Sequence, residues 1–224
     1  MKKQIGVITM GQAPRTDLLP EIERFFPTNV DFIQRGVLDD FDQEKLQKIK
    51  PESGQTTLIS RLKDGTSATM AKEKVIPIIQ QIIDDFNQNQ IQLIIVACTG
   101  EFPPFDSKIP IIYPDYLLNY VAQGIFRKKE QIGVIIPLPE QADSIQKKWH
   151  TAGFKTITVA SSPYQFDEQS LIRATKYLEQ SSIQTIVLDC IGYTQKMKGI
   201  VREHTTKNVL LSRNIVFKNA GELF

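Results

Sequence analysis

The sequence predicts an α/β protein of two pseudo-symmetric Rossmann-like lobes, each built on a parallel sheet, with a β-hairpin arm inserted in the first lobe. Three observations predict it. Short β-branched runs alternate with longer amphipathic stretches, the pattern of a parallel sheet covered by helices. Three of those runs recur later in the chain, in the same order. An Asp-Gly pair between two strand-like runs occurs in the first half, where the extra length lies.

Taken in order, the expected strands are Gln4 to Met10, Val30 to Leu38, Ile91 to Cys98, Ile109 to Tyr113, Gln131 to Ile136, Thr156 to Ala160, Ile183 to Cys190 and Asn208 to Leu211. Helices fill most of the gaps. Gln4-Ile5-Gly6-Val7-Ile8 recurs as Gln131-Ile132-Gly133-Val134-Ile135, 127 residues on. The run Ile91 to Cys98 recurs as Ile183 to Cys190, 92 residues on, with a glycine two residues after each cysteine. More loosely, Ile109 to Gly124 resembles Asn208 to Phe224, a short strand running into a helix. One such match would be weak, because buried strands draw on a small alphabet; three in register order indicate a shared plan with loops of different length. Residues 1–113 with 209–224 are expected to form the first lobe and 114–208 the second. Within the first, Leu58 to Leu62 and Thr66 to Met70 flank Lys63-Asp64-Gly65, so residues 56–71 read as a hairpin serving as an arm, a lid or a dimer contact.

Composition bounds what such a chain does. Hydrophobic residues make up 41% and charged residues 23% of 224, near globular averages, which excludes a disordered or membrane-resident class. Lys and Arg number 27 against 25 Asp and Glu and are scattered, so no stripe tracks phosphates and nucleic acid is not an expected partner. The apolar run at Ile5 to Met10 is too short for a signal sequence, and no stretch approaches bilayer length, so no membrane association and a cytoplasmic location are expected. There the two cysteines would stay reduced. No Walker loop, HExxH, CxxC or GxSxG is present, and no metal or cofactor site is expected. His150 and His204 fall near helix ends and are given no catalytic role.

Ligands of open parallel sheets bind beyond the carboxyl ends of strands, and both Cys98 and Cys190 stand there. A single cysteine ending an apolar strand is ordinary core packing. At matched positions in a duplicated plan, the pair reads as one shared site: two thiols on opposite faces of a small ligand suit inversion at carbon, one removing a proton and the other returning one. A free thiol, with pKa near about 8.5, needs backbone N–H groups, a helix N-terminus or a cation to ionise at neutral pH. Gly100 and Gly192 would let main-chain amides approach. The loop Gly11-Gln12-Ala13-Pro14-Arg15-Thr16-Asp17 is a second candidate, Gly11 permitting a tight turn and Arg15 offering a planar fork to a carboxylate. It could equally be a plain strand-to-helix loop. Arg61, on the hairpin, would bring a second cation if the arm folds inward, or else is solvated.

Strand-terminal cysteines in repeated α/β lobes resemble the aspartate/glutamate racemase superfamily. More closely, Gly11 to Asp17, the Thr57 to Gly65 stretch with Arg61-Leu62-Lys63-Asp64-Gly65, and Asp189-Cys190-Ile191-Gly192-Tyr193 resemble the AroM family over essentially the whole chain. The resemblance implies a cofactor-independent homodimer acting on a small carboxylate at an interlobe site. Cys98 and Cys190 would take the two acid/base positions, with Gly11, Gln12, Arg15, Arg61, Thr99, Gly100, Ile191, Gly192 and Tyr193 around the substrate. In the amino-acid racemases Asn-Thr follows the first cysteine and usually Thr the second; here Thr99-Gly100 and Ile191 stand there, which argues for an acid other than aspartate or glutamate. Three functions follow as expectations: a two-cysteine racemase or isomerase, a single-cysteine decarboxylase or isomerase, and a carboxylate-binding protein without turnover.

Overall fold

Parallel strands buried on both faces need apolar residues at nearly every position, and the first such run is β1, Lys3–Thr9. The computed structural model describes residues 2–126 and 130–224; Met1 and residues 127–129 of the two expected lobes lie outside it. After β1 come a short helix α1 (Leu19–Ile22), β2 (Val30–Gly36), α2 (Gln43–Lys48), β3 (Thr57–Arg61), β4 (Ser67–Ala71), α3 (Lys72–Asn87), β5 (Ile91–Ala97) and β6 (Ile111–Ile112). β1, β2, β5 and β6 form a parallel sheet in the order β2-β1-β5-β6. α3 covers it with Val75, Ile79, Ile82, Ile83 and Phe86, a stripe at helical spacing, packed with Ile8, Ile94 and Val96. β6 is shorter than expected, because Pro110 has no N–H to give and Pro114 already opens the next helix.

The second half continues with α4 (Pro114–Ile125), β7 (Gln131–Ile136), α5 (Ala142–Thr151), β8 (Lys155–Ala160), α6 (Glu168–Glu179), β9 (Thr185–Leu188), α7 (Gln195–Glu203), β10 (Asn208–Leu211) and α8 (Ser212–Gly221). Asp167 caps α6 by accepting from Gln169 N–H at 3.0 Å, and Thr194 caps α7 by accepting from Met197 N–H at 3.2 Å. The sheet is again parallel, in the order β8-β7-β9-β10. Among the described residues no helix is long and apolar enough to cross a membrane.

The two sheets share strand order and also register. Gly6 of β1 pairs with Ile94 of β5, and Gly133 of β7 with Ile186 of β9, so the 127- and 92-residue repeats of the sequence recur as the hydrogen-bonded register. β8 answers β2, an equivalence the sequence does not display. The recurring glycine has a packing cause: a Cβ on Gly6 would come within 2.6 Å of the Phe86 ring, and one on Gly133 within 2.6 Å of Ile183 and 3.0 Å of Leu178. In each lobe the helix entering the third strand lies against this glycine.

Two expectations change. The chain divides into Met1–Pro114 with Phe217–Phe224, and Asp115–Val216. β10 therefore belongs to the second unit and not, as residues 209–224 were expected to, the first: its four residues pair with β9. The hairpin is present as β3 and β4, with Leu58 opposite Met70 and Gly65 at φ +86° in the turn. It is not a projecting arm, because Leu58, Ile59, Ser60, Met70 and Ala71 are buried and Leu58 and Met70 join the core of the first unit.

Candidate active site

Cys98 follows the last residue of β5. Its N–H turns back onto Val96 O at 2.6 Å, which ends the strand and swings the next residues across its tip. Gly100 N–H then donates to Cys98 Sγ at 3.4 Å, while Thr99 between them is buried. The thiol is half-buried, packed against the core that contains Leu58 and Phe102. An amide N–H aimed at sulfur favours the thiolate over the thiol.

Cys190 repeats the arrangement two residues beyond β9. Gly192 N–H donates to its Sγ at 3.3 Å, and the Tyr164 hydroxyl lies 3.3 Å from the same sulfur. Glycine at 192 leaves room for Tyr164, since a Cβ there would stand 2.8 Å from its Cζ and hydroxyl and push that side chain aside. The residue before the cysteine, Asp189, is buried with Lys148: Lys148 Nζ donates to Asp189 Oδ2 at 2.6 Å and Trp149 Nε1 to the same oxygen at 2.8 Å. Both partners come from α5, so this ion pair ties that helix to the strand end that carries the thiol. Arg213, fully buried at the start of α8, donates through Nε to Ile191 O at 2.8 Å and through Nη2 to Gly192 O at 3.3 Å. Neither cysteine is in a disulfide.

Several expected substrate contacts have other partners. Gly11 is small because the hairpin crosses it: a Cβ would fall 1.9 Å from Arg61 O. Gln12 brackets the hairpin to the sheet, its N–H donating to Arg61 O at 3.1 Å and its side chain joining Leu38 O at 3.0 Å and Lys63 N–H at 2.9 Å. Arg15 is buried, and its fork closes on Asp17 through two 2.7 Å bonds, so it does not present an open fork to a carboxylate. Arg61 keeps about a third of its side chain exposed (32%) and lies 3.8 Å from Asp17. In the second lobe Ile191 is buried, and Tyr193 is buried with its hydroxyl donating to Ser161 O at 2.8 Å. Burial foremost, with Cys190, Asp189 and Tyr164 nearby, raises the Tyr193 phenol well above its ordinary pKa.

Sequence reasoning missed Tyr164, Lys148 and Arg213. Tyr164 lies in the loop after β8 and reaches the thiol across 26 residues, and Lys148 looks like any polar position on an amphipathic helix. Arg213 carried one available signal, a charged residue two positions after an apolar strand, in the first turn of a helix. Among the described residues no group of three or more His, Cys, Asp or Glu side chains is placed to hold a metal ion.

Two parallel sheets with one strand order, each carrying a cysteine just beyond its third strand, define a duplicated α/β protein. Solved racemase, decarboxylase and isomerase structures share its fold at low identity. They include a glutamate racemase isoform from Bacillus anthracis (TM-score 0.62, 16% identity, 99% of this chain and 81% of that one). An arylmalonate decarboxylase in its liganded form, a variant with one cysteine introduced and another replaced by serine, gives a TM-score of 0.64 at 12% identity over 99% and 92% of the two chains. A maleate isomerase from Pseudomonas putida S16 gives 0.61 at 12% identity over 97% and 90%. No curated protein matches the chain. The family model described as AroM protein matches residues 5–224, and the chain belongs to the AroM family.

Proposed function

We propose that this protein is a cofactor-independent racemase or isomerase of a small carboxylate, with Cys98 and Cys190 as its acid/base pair. One thiolate takes the proton from the carbon beside the carboxylate, and the other thiol gives a proton to the opposite face of the same carbon. The observation that carries this reading is the matched environment of the two sulfurs: each stands at the end of the register-equivalent strand and accepts an amide N–H from the glycine two residues on, at 3.4 and 3.3 Å. A buried cysteine kept only for packing has no need of that amide. Racemase and isomerase names among the structural neighbours support the reaction class.

Ile191 and Thr99 are buried, so recognition is assigned to main-chain amides and to Arg61, the one-third-exposed cation of the hairpin, acting on a carboxylate. A homodimer forms part of the same proposal, checked by analytical ultracentrifugation. The test is turnover of a panel of small chiral acids and unsaturated diacids in deuterium oxide. Deuterium is expected at the carbon beside the carboxylate as substrate inverts, with Cys98→Ser and Cys190→Ser each lowering the rate by about 100-fold or more. Full turnover in both variants overturns the proposal.

A second reading, a decarboxylase or isomerase relying on one thiol, is favoured by the Tyr164 hydroxyl at Cys190. It predicts that Cys190→Ser abolishes activity while Cys98→Ser lowers it only a few-fold.

A further inference from the structure

The peptide between Ile191 and Gly192 carries hydrogen bonds at both ends, to groups of different kinds. Its carbonyl accepts from Arg213 Nε at 2.8 Å, and its N–H donates to Cys190 Sγ at 3.3 Å. A peptide unit is planar with its C=O and N–H pointing opposite ways, so a clamp on one end fixes the aim of the other. A cation on the carbonyl also polarises the unit and strengthens the positive end of the N–H, an effect magnified where the dielectric is low. Arg213 is fully buried, and a second bond to Gly192 O at 3.3 Å keeps its guanidinium in the plane of this turn. The residue before it is anchored too, Ser212 Oγ donating to Leu188 O at 2.6 Å.

The other lobe is not built this way. In register, Val209 of β10 stands against Ile186 as Ile111 of β6 stands against Ile94, so Arg213 corresponds to Asp115 at the start of α4. A buried cation occupies the position in one half of the repeat and a buried carboxylate in the other.

We propose that Arg213 is a positioning residue that acts through the Ile191–Gly192 peptide to hold Cys190 as the resting thiolate. The inference rests on the reading of Cys190 as a reacting thiol and adds which sulfur begins the cycle charged: Cys190 takes the first proton and Cys98 gives one. Ionisable groups near Cys190 include Tyr164 at its sulfur, Tyr193, and Asp189 with its Lys148 partner. Lys148 carries a positive charge but spends it on Asp189, and the Tyr164 hydroxyl can donate to the same sulfur; the peptide held by Arg213 adds an N–H whose aim is fixed.

The test is the pH dependence of iodoacetamide alkylation, followed by mass spectrometry on Cys190 in a Cys98→Ser background and on Cys98 in a Cys190→Ser background. The Cys190 midpoint is expected below the ordinary thiol value of about 8.5. Arg213→Met should raise it by about one unit, slowing alkylation at neutral pH roughly tenfold, and should leave the Cys98 profile where it was. Arg213→Lys, which keeps the charge and one donor, should fall between. If Arg213→Met loses its far-UV circular dichroism, the lysine variant decides. A Cys190 midpoint at or above the ordinary value in the unmodified loop, an unmoved midpoint in the folded arginine variants, or a parallel shift at Cys98 each overturns the proposal. Alkylation reports the thiol whether or not substrate turns over, so this outcome and that of the deuterium experiment are read separately.

Discussion

Tyr193 shows how a buried polar group beside the candidate thiol is tolerated. Its hydroxyl finds Ser161 O at 2.8 Å, which satisfies the donor, while burial and the neighbouring acidic groups push its ionisation upward. The folded state therefore holds the phenolic proton more tightly than the unfolded chain does. Its contribution to stability is complete below the unfolded pKa of about 10 and is lost as pH climbs above it toward the raised folded value. Tyr193→Phe should lose about 1 kcal/mol at neutral pH, from the missing hydrogen bond. It should also show a shallower fall in stability above pH 10 than the parent, measured by urea unfolding across that range. The Lys148–Asp189 pair has a different origin and a larger stake. Both side chains are removed from water, so deleting one partner leaves a buried charge poorly compensated, and Lys148→Met should cost about 3–5 kcal/mol. Trp149, bonded to the same carboxylate and the single tryptophan of the chain, reports that unfolding by fluorescence.

Between elements, the glycines of the repeated QIGVI runs decide how closely a helix can approach its sheet. Phe86 is held in the last turn of α3 with its ring against Gly6, whereas Gly133 faces the flexible tips of Ile183 and Leu178. Gly6→Ala should therefore destabilise by about 1–3 kcal/mol, as overpacking does. Gly133→Ala should cost less, since methyl tips shift more easily than a packed ring; chemical denaturation of the two variants tests the order. The strands were legible because apolar runs bounded by Gly, Pro and polar residues encode burial locally. Their ends were less so. β2 stops at Gly36 and not Leu38 because Asp39 Oδ2 takes the Gly36 N–H at 2.8 Å and Asp39 N–H turns back to Gly36 O at 3.2 Å, a turn made by a residue three positions on. The hairpin was read correctly as a turn around Asp64-Gly65. Its burial was not, because which face of a two-stranded ribbon meets the core depends on what it lies against.

Across the whole chain, the duplicated plan places one thiol in each half, and the proposed chemistry makes a demand on both. A carboxylate that turns over should protect Cys98 and Cys190 alike from alkylation at saturating concentration; protection of Cys190 alone favours the single-thiol reading. By itself the sequence determined the α/β class, the order of the repeat, its register offsets and the standing of both cysteines at strand ends, because periodicity and internal repetition are properties of neighbouring residues. Only the tertiary structure decided that Arg15 is closed by Asp17, that Gln12 spans 51 residues to bracket the hairpin, that β10 completes the second sheet, and that Arg213 grips the peptide whose amide faces Cys190. The physical reason is the same in each case. A side chain's partner is chosen by packing among residues distant in sequence, and a charged residue reads identically along the chain whether it is solvated, paired or buried against a carbonyl.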